Sequence, residues 1–441
     1  MKRTPLIKLL AWLALAIATF VLALLWLLNT RDETRIVPVT TGSVAVPTSP
    51  ALLARGDYLT RAGNCMTCHT SRGGTPFAGG RGIETPFGTV FSSNLTPDAK
   101  TGLGTWSNDD FWRALHNGRS QSGRLLYPAF PYTSYTQVSR ADADAMHAYL
   151  QSLPPAAAPA QAHTLRWPFN TQIALAVWRA LYFSPGTFEP EPQQSADWNR
   201  GAYLVRGLGH CAACHSARDS LGGSNQLNLA GGLIPMQNWY APALTENAEA
   251  GVSEWPVDKV VTLLKTGVVP GASVLGPMAE VVLHSTQHMS DDDLRAMAVF
   301  LKSLPPTLHA DAALPTAARG PKAEAIATSA SARAGAKLYD NNCAQCHGDS
   351  GQGVAGAYPA LAGNRAVTMA STANLVQIIL NGGYAPATAG NPRPFGMPPF
   401  MLVLNDTEVA SLLTFMRSAW GNQASQVTSF DVNRSRTGNQ R

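Results

Sequence analysis

The sequence predicts a mostly α-helical chain, with three tandem helical units behind an N-terminal transmembrane helix. Three observations predict it. Residues Leu9 to Leu28 carry no charge, a Cys-x-x-Cys-His unit occurs three times and uses every cysteine, and each copy sits in one frame of opening, middle and closing helices. Apolar residues recurring at helical spacing make those frames helical rather than extended.

The first element is the run LLAWLALAIATFVLALLWLL. At ~1.5 Å per residue it is long enough to cross a bilayer as a helix. Lys2, Arg3 and Lys8 precede it, whereas Arg31 and Arg35 behind it are offset by Asp32 and Glu33. The positive-inside rule therefore predicts a single-pass anchor over 1–35 in the inner membrane, with the rest of the chain facing the periplasm. The alternative is a cleaved signal peptide, but a signal core is shorter, and Ala16 and Ala18 lie in mid-run. Of 441 residues 45% are apolar and only 14% charged, which excludes a disordered chain. The net charge of +5 is scattered with no basic run, so no nucleic-acid partner is expected.

The cysteines occur only as CMTCH (65–69), CAACH (211–215) and CAQCH (343–347). Two thiols at this spacing reach both vinyl groups of one haem, and the next histidine lies under the iron as its proximal ligand. Zinc sites also use CxxC, but they pair such units, and three units do not pair evenly. The sequence thus predicts three covalently bound c-type haems, on Cys65 and Cys68, Cys211 and Cys214, and Cys343 and Cys346. The proximal iron ligands are His69, His215 and His347.

The repeats extend beyond the cysteines. Arg55-Gly-Asp-Tyr-Leu, Arg200-Gly-Ala-Tyr-Leu and Ala334-Gly-Ala-Lys-Leu open the three copies. Middle helices are expected at Asp109 to Leu115, Val257 to Leu264 and Asn374 to Leu380. Closing helices start at Ser139, Ser290 and Asn405, each followed by acids that suit a helix N-terminus. SLPP ends the first two copies, at 152–155 and 303–306, and both share a glycine with a tryptophan four residues on, Gly102 with Trp106 and Gly251 with Trp255. Such units are class I cytochrome c domains, expected at 51–155, 197–308 and 331–425. Residues 309–330 form an Ala-rich linker. The linker 156–196 holds an apolar helix within 165–183, interrupted by Arg166 and Arg179. It either lies at the membrane interface, lines a quinone pocket, or is buried between haem units.

An electron-transfer haem commonly takes a methionine as sixth ligand. Met278 in GPMAE and Met397 in GMPPF occupy that place, as a loop between middle and closing helices, with Met401 held in reserve. The first copy reads LLYPAFPY and carries Phe130 there, so the sixth ligand of the first haem is unknown. Met146 aligns with Met297, which a copy already served by Met278 leaves for the core. His116 and His147 are the remaining options, His116 reading more simply as a surface histidine at a helix C-terminus. His210 either packs or is solvated. Phe130 is expected to cover an open first haem as an apolar lid.

The stretches TPFGTVFSSNLTPD (85–98), WNRGAYLVRGLGHCAACH (198–215), GPMAEVVLHSTQH (276–288) and FMRSAWGN (415–422) resemble the triheme cytochrome c subunits of membrane-bound bacterial dehydrogenases, from residue 51 to about 425. The resemblance implies an electron-transfer subunit that takes electrons from a periplasmic catalytic subunit acting on CH–OH or aldehyde donors and passes them to ubiquinone or the respiratory chain. That partner would be a molybdopterin protein, quinoprotein or flavoprotein, with YPAFPY-type loops favouring the molybdopterin class. The family's methionine ligands carry over to Met278 and Met397 and fail at Phe130. The chain has no substrate-oxidising motif of its own. Two alternatives remain: a free-standing cytochrome serving a terminal oxidase, and a haem peroxidase using an open first haem.

Overall fold

Each Cys-x-x-Cys-His motif follows an opening helix that crosses a closing helix at a glycine. A computed structural model describes residues 4–30, 49–224, 228–306 and 326–438. Pro50–Ala62 crosses Arg140–Gln151, Ala196–Ala202 crosses Asp291–Lys302, and Ala330–Asn342 crosses Asp406–Ser418. At the crossings a methyl on Gly56, Gly201 or Gly335 would lie 2.6, 2.8 and 2.8 Å from the Cβ atoms of Tyr149, Phe300 and Phe415. No real Cβ fits so close, which is why all three opening helices share this glycine. Its cost in helix propensity, about 1 kcal/mol, is offset by the packing that the close approach permits.

The closing helices start as expected. Ser139, Ser290 and Asn405 cap them by accepting from the N–H groups of Asp142, Asp293 and Glu408. The middle helices run Asn108–Asn117, Val257–Thr266 and Ala373–Asn381, within two residues of their expected bounds. Four antiparallel two-stranded ribbons were not expected: Gly82–Thr85 with Gly88–Phe91, Gly232–Ile234 with Trp239–Ala241, Val268–Val269 with Ala272–Ser273, and Gly383–Tyr384 with Gly396–Met397. Strands this short show no readable alternation. The last described helix, Ser429–Gly438, extends the third repeat past residue 425. Arg436 binds Asp406 at 2.6 Å, and Val427 and Val432 are buried against the closing helix.

The first two repeats share one hydrophobic core, while the third has its own. Their junction follows a pseudo-two-fold rule. Arg200 pairs with Asp293 within its repeat (2.7 Å), and Tyr58 of the first repeat donates to that same carboxylate (2.6 Å). Arg55 pairs with Asp142, and Tyr203 of the second repeat donates to it (2.6 Å). Each tyrosine oxygen also accepts from the capping residue's N–H, Ser290 at 3.2 Å and Ser139 at 3.3 Å. The third repeat has Ala334 and Lys337 where the others have arginine and tyrosine. It docks differently: Asn374 pairs with both the N–H and the carbonyl of Tyr240, each at 2.8 Å.

The N-terminal helix spans Thr4–Asn29, and its apolar side chains are exposed along most of its length. Its charged flanks (Lys2, Arg3, Arg31, Asp32, Glu33 and Arg35) and residues 309–325 of the second linker lie outside the described residues. The apolar segment of the first linker forms Gln172–Tyr182, capped by Thr171. One face packs on both the first and the second repeat: Gln172 Nε2 donates to Leu125 O at 3.3 Å and Trp178 Nε1 to Leu221 O at 3.1 Å. Asn29 donates to Ala176 O (3.0 Å) and accepts from Arg179 Nε (3.0 Å), fixing this helix to the end of the long one. Its other face stays open: Ile173 is 68% exposed, Leu181 56% and nearby Trp167 80%.

Candidate haem sites

In all three motifs the histidine is prepared in one way. Nδ1 of His69 lies 2.7 Å from Ser93 O, Nδ1 of His215 2.7 Å from Pro242 O, and Nδ1 of His347 3.0 Å from Pro359 O. A carbonyl only accepts, so each Nδ1 carries the proton and each Nε2 keeps its lone pair for a metal. Burial pushes all three imidazoles below the usual histidine range, which keeps them neutral. The acceptor always sits two residues before a leucine (Leu95, Leu244, Leu361), a sequence signal that had no evident role before the geometry.

None of the six cysteines is in a disulfide. Burial is the main cause that raises the Cys65 and Cys211 thiols to about 12 and Cys343 to about 11. Free, they are poor nucleophiles and poor metal thiolates at neutral pH. Thiols spent as thioethers suit the site better than thiols kept for redox or zinc chemistry.

Two apolar cavities have a distal partner. One, of about 260 Å³, is lined by Cys211, Cys214, His215 and Met278. The other, of about 70 Å³, is lined by Cys343, His347 and Met397. In each a histidine and a methionine face one apolar space, the arrangement a six-coordinate haem needs. Met278 lies in the first turn of a helix, Pro277–His284, where an open loop was expected. Met397 sits on the last ribbon, opposite Gly383. Met401 is half-buried and packs against the core of the third repeat. Both cavities are walled by Ser273, Leu275 and Ala366, and Ala62 and Asn64 of the first repeat also line the larger one. The cavities of His215 and His347 are therefore contiguous, and the segment leading into the first motif borders that of His215. Met297, expected in the core, is buried and also walls its cavity.

The first site lacks a methionine at the expected place. Phe130 is half-buried and packs on the same core that Cys65 packs against, and its ring lies 5.3 Å from that of Tyr135. Tyr135 in turn lies 5.2 Å from His210, which is half-buried with Nδ1 3.2 Å from Leu208 O. Met146 is fully buried in the core, as expected. His116 is not a surface residue: it is buried, stacks on Trp112 at 4.6 Å and donates from Nδ1 to Thr136 O at 2.9 Å. The middle helix packs on the Tyr132–Tyr135 turn and takes His116 inside, a tertiary effect that a helix C-terminus does not reveal. His147 is buried between Phe111 and Asn108, and burial lowers it to about 4.

Comparison with known proteins gives the same direction. The sequence model of the cytochrome c family matches residues 53–154 and 332–420, and the second repeat falls between them. The chain is 38% identical to the cytochrome c subunit of alcohol dehydrogenase (quinone) from Gluconobacter oxydans, over 88% of this chain and 82% of that one. It is 38% identical to the cytochrome c subunit of gluconate 2-dehydrogenase from Pantoea cypripedii, over 87% and 89%. It is 39% identical to a nicotinate dehydrogenase subunit from Pseudomonas putida, over 90% of this chain and 33% of that longer protein.

Proposed function

The chain belongs to the family of cytochrome c subunits of bacterial dehydrogenases, and from that premise we propose that it is a membrane-anchored triheme relay. Its three cytochrome c domains are 51–155, 197–308 and 331–425. Cys65 and Cys68, Cys211 and Cys214, and Cys343 and Cys346 hold the haems, with His69, His215 and His347 as proximal ligands and Met278 and Met397 as distal ones. The first haem has no methionine, and Phe130 covers it.

Haem supplies one-electron chemistry at a potential that the axial ligands and surroundings set. The protein's part is geometric. Nδ1–H bonds aim the imidazoles, apolar walls exclude water, and shared wall residues keep neighbouring sites in contact. Electrons enter from a dehydrogenase catalytic subunit, a molybdopterin protein, quinoprotein or flavoprotein, and leave to ubiquinone. The Thr4–Asn29 helix anchors the chain in the inner membrane with the haem domains in the periplasm. The open apolar face of Gln172–Tyr182, tied to Asn29, supports a bilayer contact there.

The observation that carries this reading is His215 and Met278 facing one apolar cavity beside Cys211 and Cys214. The test is a pyridine haemochrome assay on the purified chain with mass analysis of the three motif peptides. Three haems per chain, one on each peptide, are expected; a motif peptide with free thiols would remove that site.

A further inference from the structure

The middle site is finished by a residue of the third repeat. Arg365 opens the short helix Arg365–Thr368, yet it lines the cavity of Cys211, Cys214, His215 and Met278. Its guanidinium lies over Trp255, with Cζ 4.4 Å from the ring centre, and Nη1 donates to Gly251 O at 2.6 Å. Its own N–H donates to Gly271 O at 3.1 Å, so both ends of the residue are fixed to the second repeat. From behind, buried Arg417 donates to the carbonyls of Val367 and Met369 at 2.7 and 2.8 Å and pins the short helix in place.

The charge of Arg365 is poorly answered by protein. A guanidinium has five N–H donors, and the side-chain hydrogen bond above uses one of its groups. Glu254 acts on it only through space. Among the residues lining the cavity, Arg365 is the sole lysine or arginine and Glu249 the sole acid. That acid is already taken by Tyr240 Oη (3.0 Å) and Ala243 N–H (2.7 Å). A half-buried cation facing an apolar cavity is costly unless an anion meets it there. A haem is apolar over its faces and carries two carboxylates on one edge.

We propose that Arg365 binds the carboxylate edge of the haem held by His215, so that the third repeat completes the cofactor site of the second. The proposal rests on the reading that Cys211, Cys214 and His215 hold a haem. Oxidised iron carries one more positive charge than reduced iron, so a fixed cation nearby favours the reduced form. Arg365 therefore raises the midpoint potential of the middle haem and makes that potential depend on docking of the third repeat.

The test uses the full-length holoprotein and a potentiometric titration that resolves the three haems spectroscopically. Arg365→Gln is expected to lower one Met-ligated midpoint by about tenfold in the one-electron equilibrium constant, ~59 mV, with the other two unmoved. Arg365→Lys is expected to restore most of it. Arg333→Gln removes an exposed cation of the same repeat that does not line the cavity and is expected to leave that midpoint near wild type. Three unchanged midpoints in Arg365→Gln overturn the proposal, as does an equal shift in Arg333→Gln. Mass analysis of the Cys211–Cys214 peptide separates the two levels: no haem adduct there overturns the haem reading itself, whereas an adduct with unmoved midpoints overturns the role of Arg365 alone.

Discussion

Tyr203 of the second repeat donates its hydroxyl to Asp142 of the first at 2.6 Å, and that carboxylate also receives Arg55 from its own repeat. Tyr58 and Asp293 repeat the arrangement in the opposite direction. Hydrogen bonds to charged groups contribute about 1.5–3 kcal/mol each. Tyr58→Phe and Tyr203→Phe are each expected to destabilise the joined first and second repeats by about that much, in equilibrium urea unfolding followed at their haems. Unfolding of the third repeat should not move.

The same junction has a pH signature. Burial raises Asp293, but Arg200 and Tyr58 outweigh it and hold the carboxyl below the usual range. A depressed carboxyl contributes stability that is present above its unfolded pKa and lost as pH falls through its folded one. Asp293→Asn is expected to remove part of the acid sensitivity of the joined repeats below about pH 4, seen in melting temperature against pH.

His147 acts in a neighbouring window with the opposite chemistry. Its folded pKa of about 4 lies below the ordinary value of 6.5. Burying it neutral costs stability as pH falls below 6.5, and the loss stops growing near 4. The full effect is on the order of 3 kcal/mol. In His147→Gln the stability of the first repeat is expected to be flatter between these limits; an identical pH profile would contradict the assignment.

The glycine crossings predict a graded failure. Gly335→Ala places a methyl against the backbone of Ser411 and the side chain of Phe415. Overpacking of this kind costs about 1–3 kcal/mol. Thermal unfolding of the third repeat should drop accordingly, while Gly421→Ala, which meets no neighbour within 4 Å, leaves the interior unstrained and tests only the strain of its positive φ.

Phe130 gives a spectroscopic prediction. Carbon monoxide or cyanide is expected to perturb one haem of three in the native chain, and the Met–iron band to integrate to two. Phe130→Met is expected to bring that band to three and abolish ligand binding. His116→Gln should change neither, because its imidazole is buried and stacked on Trp112. A ligand-free spectrum altered by His116→Gln alone would place that histidine on the iron.

Much of this architecture was legible because its causes are local. Helix starts follow from Ser139, Ser290 and Asn405, whose side chains cap from within three residues. The haem motifs are contiguous by chemistry, since both thiols and the histidine must reach one ring. What stayed hidden depends on distant residues. The burial of His116 is set by a turn some 20 residues on, and Arg365 serves a cavity whose thiols lie in another repeat. The helix under Met278 follows a Gly-Pro pair that reads equally well as a loop. The Arg-Gly-x-Tyr pattern was visible as a repeat, but its meaning needed the partner carboxylates across the junction.

That pattern also sets where assembly stops. Two copies that exchange tyrosines across a two-fold leave neither with an unanswered carboxylate of this kind, so the pair is a closed dimer written into one chain. The third copy, with Lys337 at the tyrosine position and Ala334 at the arginine position, has no hydroxyl to offer to this exchange. The tyrosine exchange therefore sorts three near-equal copies into one mutual pair and one unit that docks by a different contact.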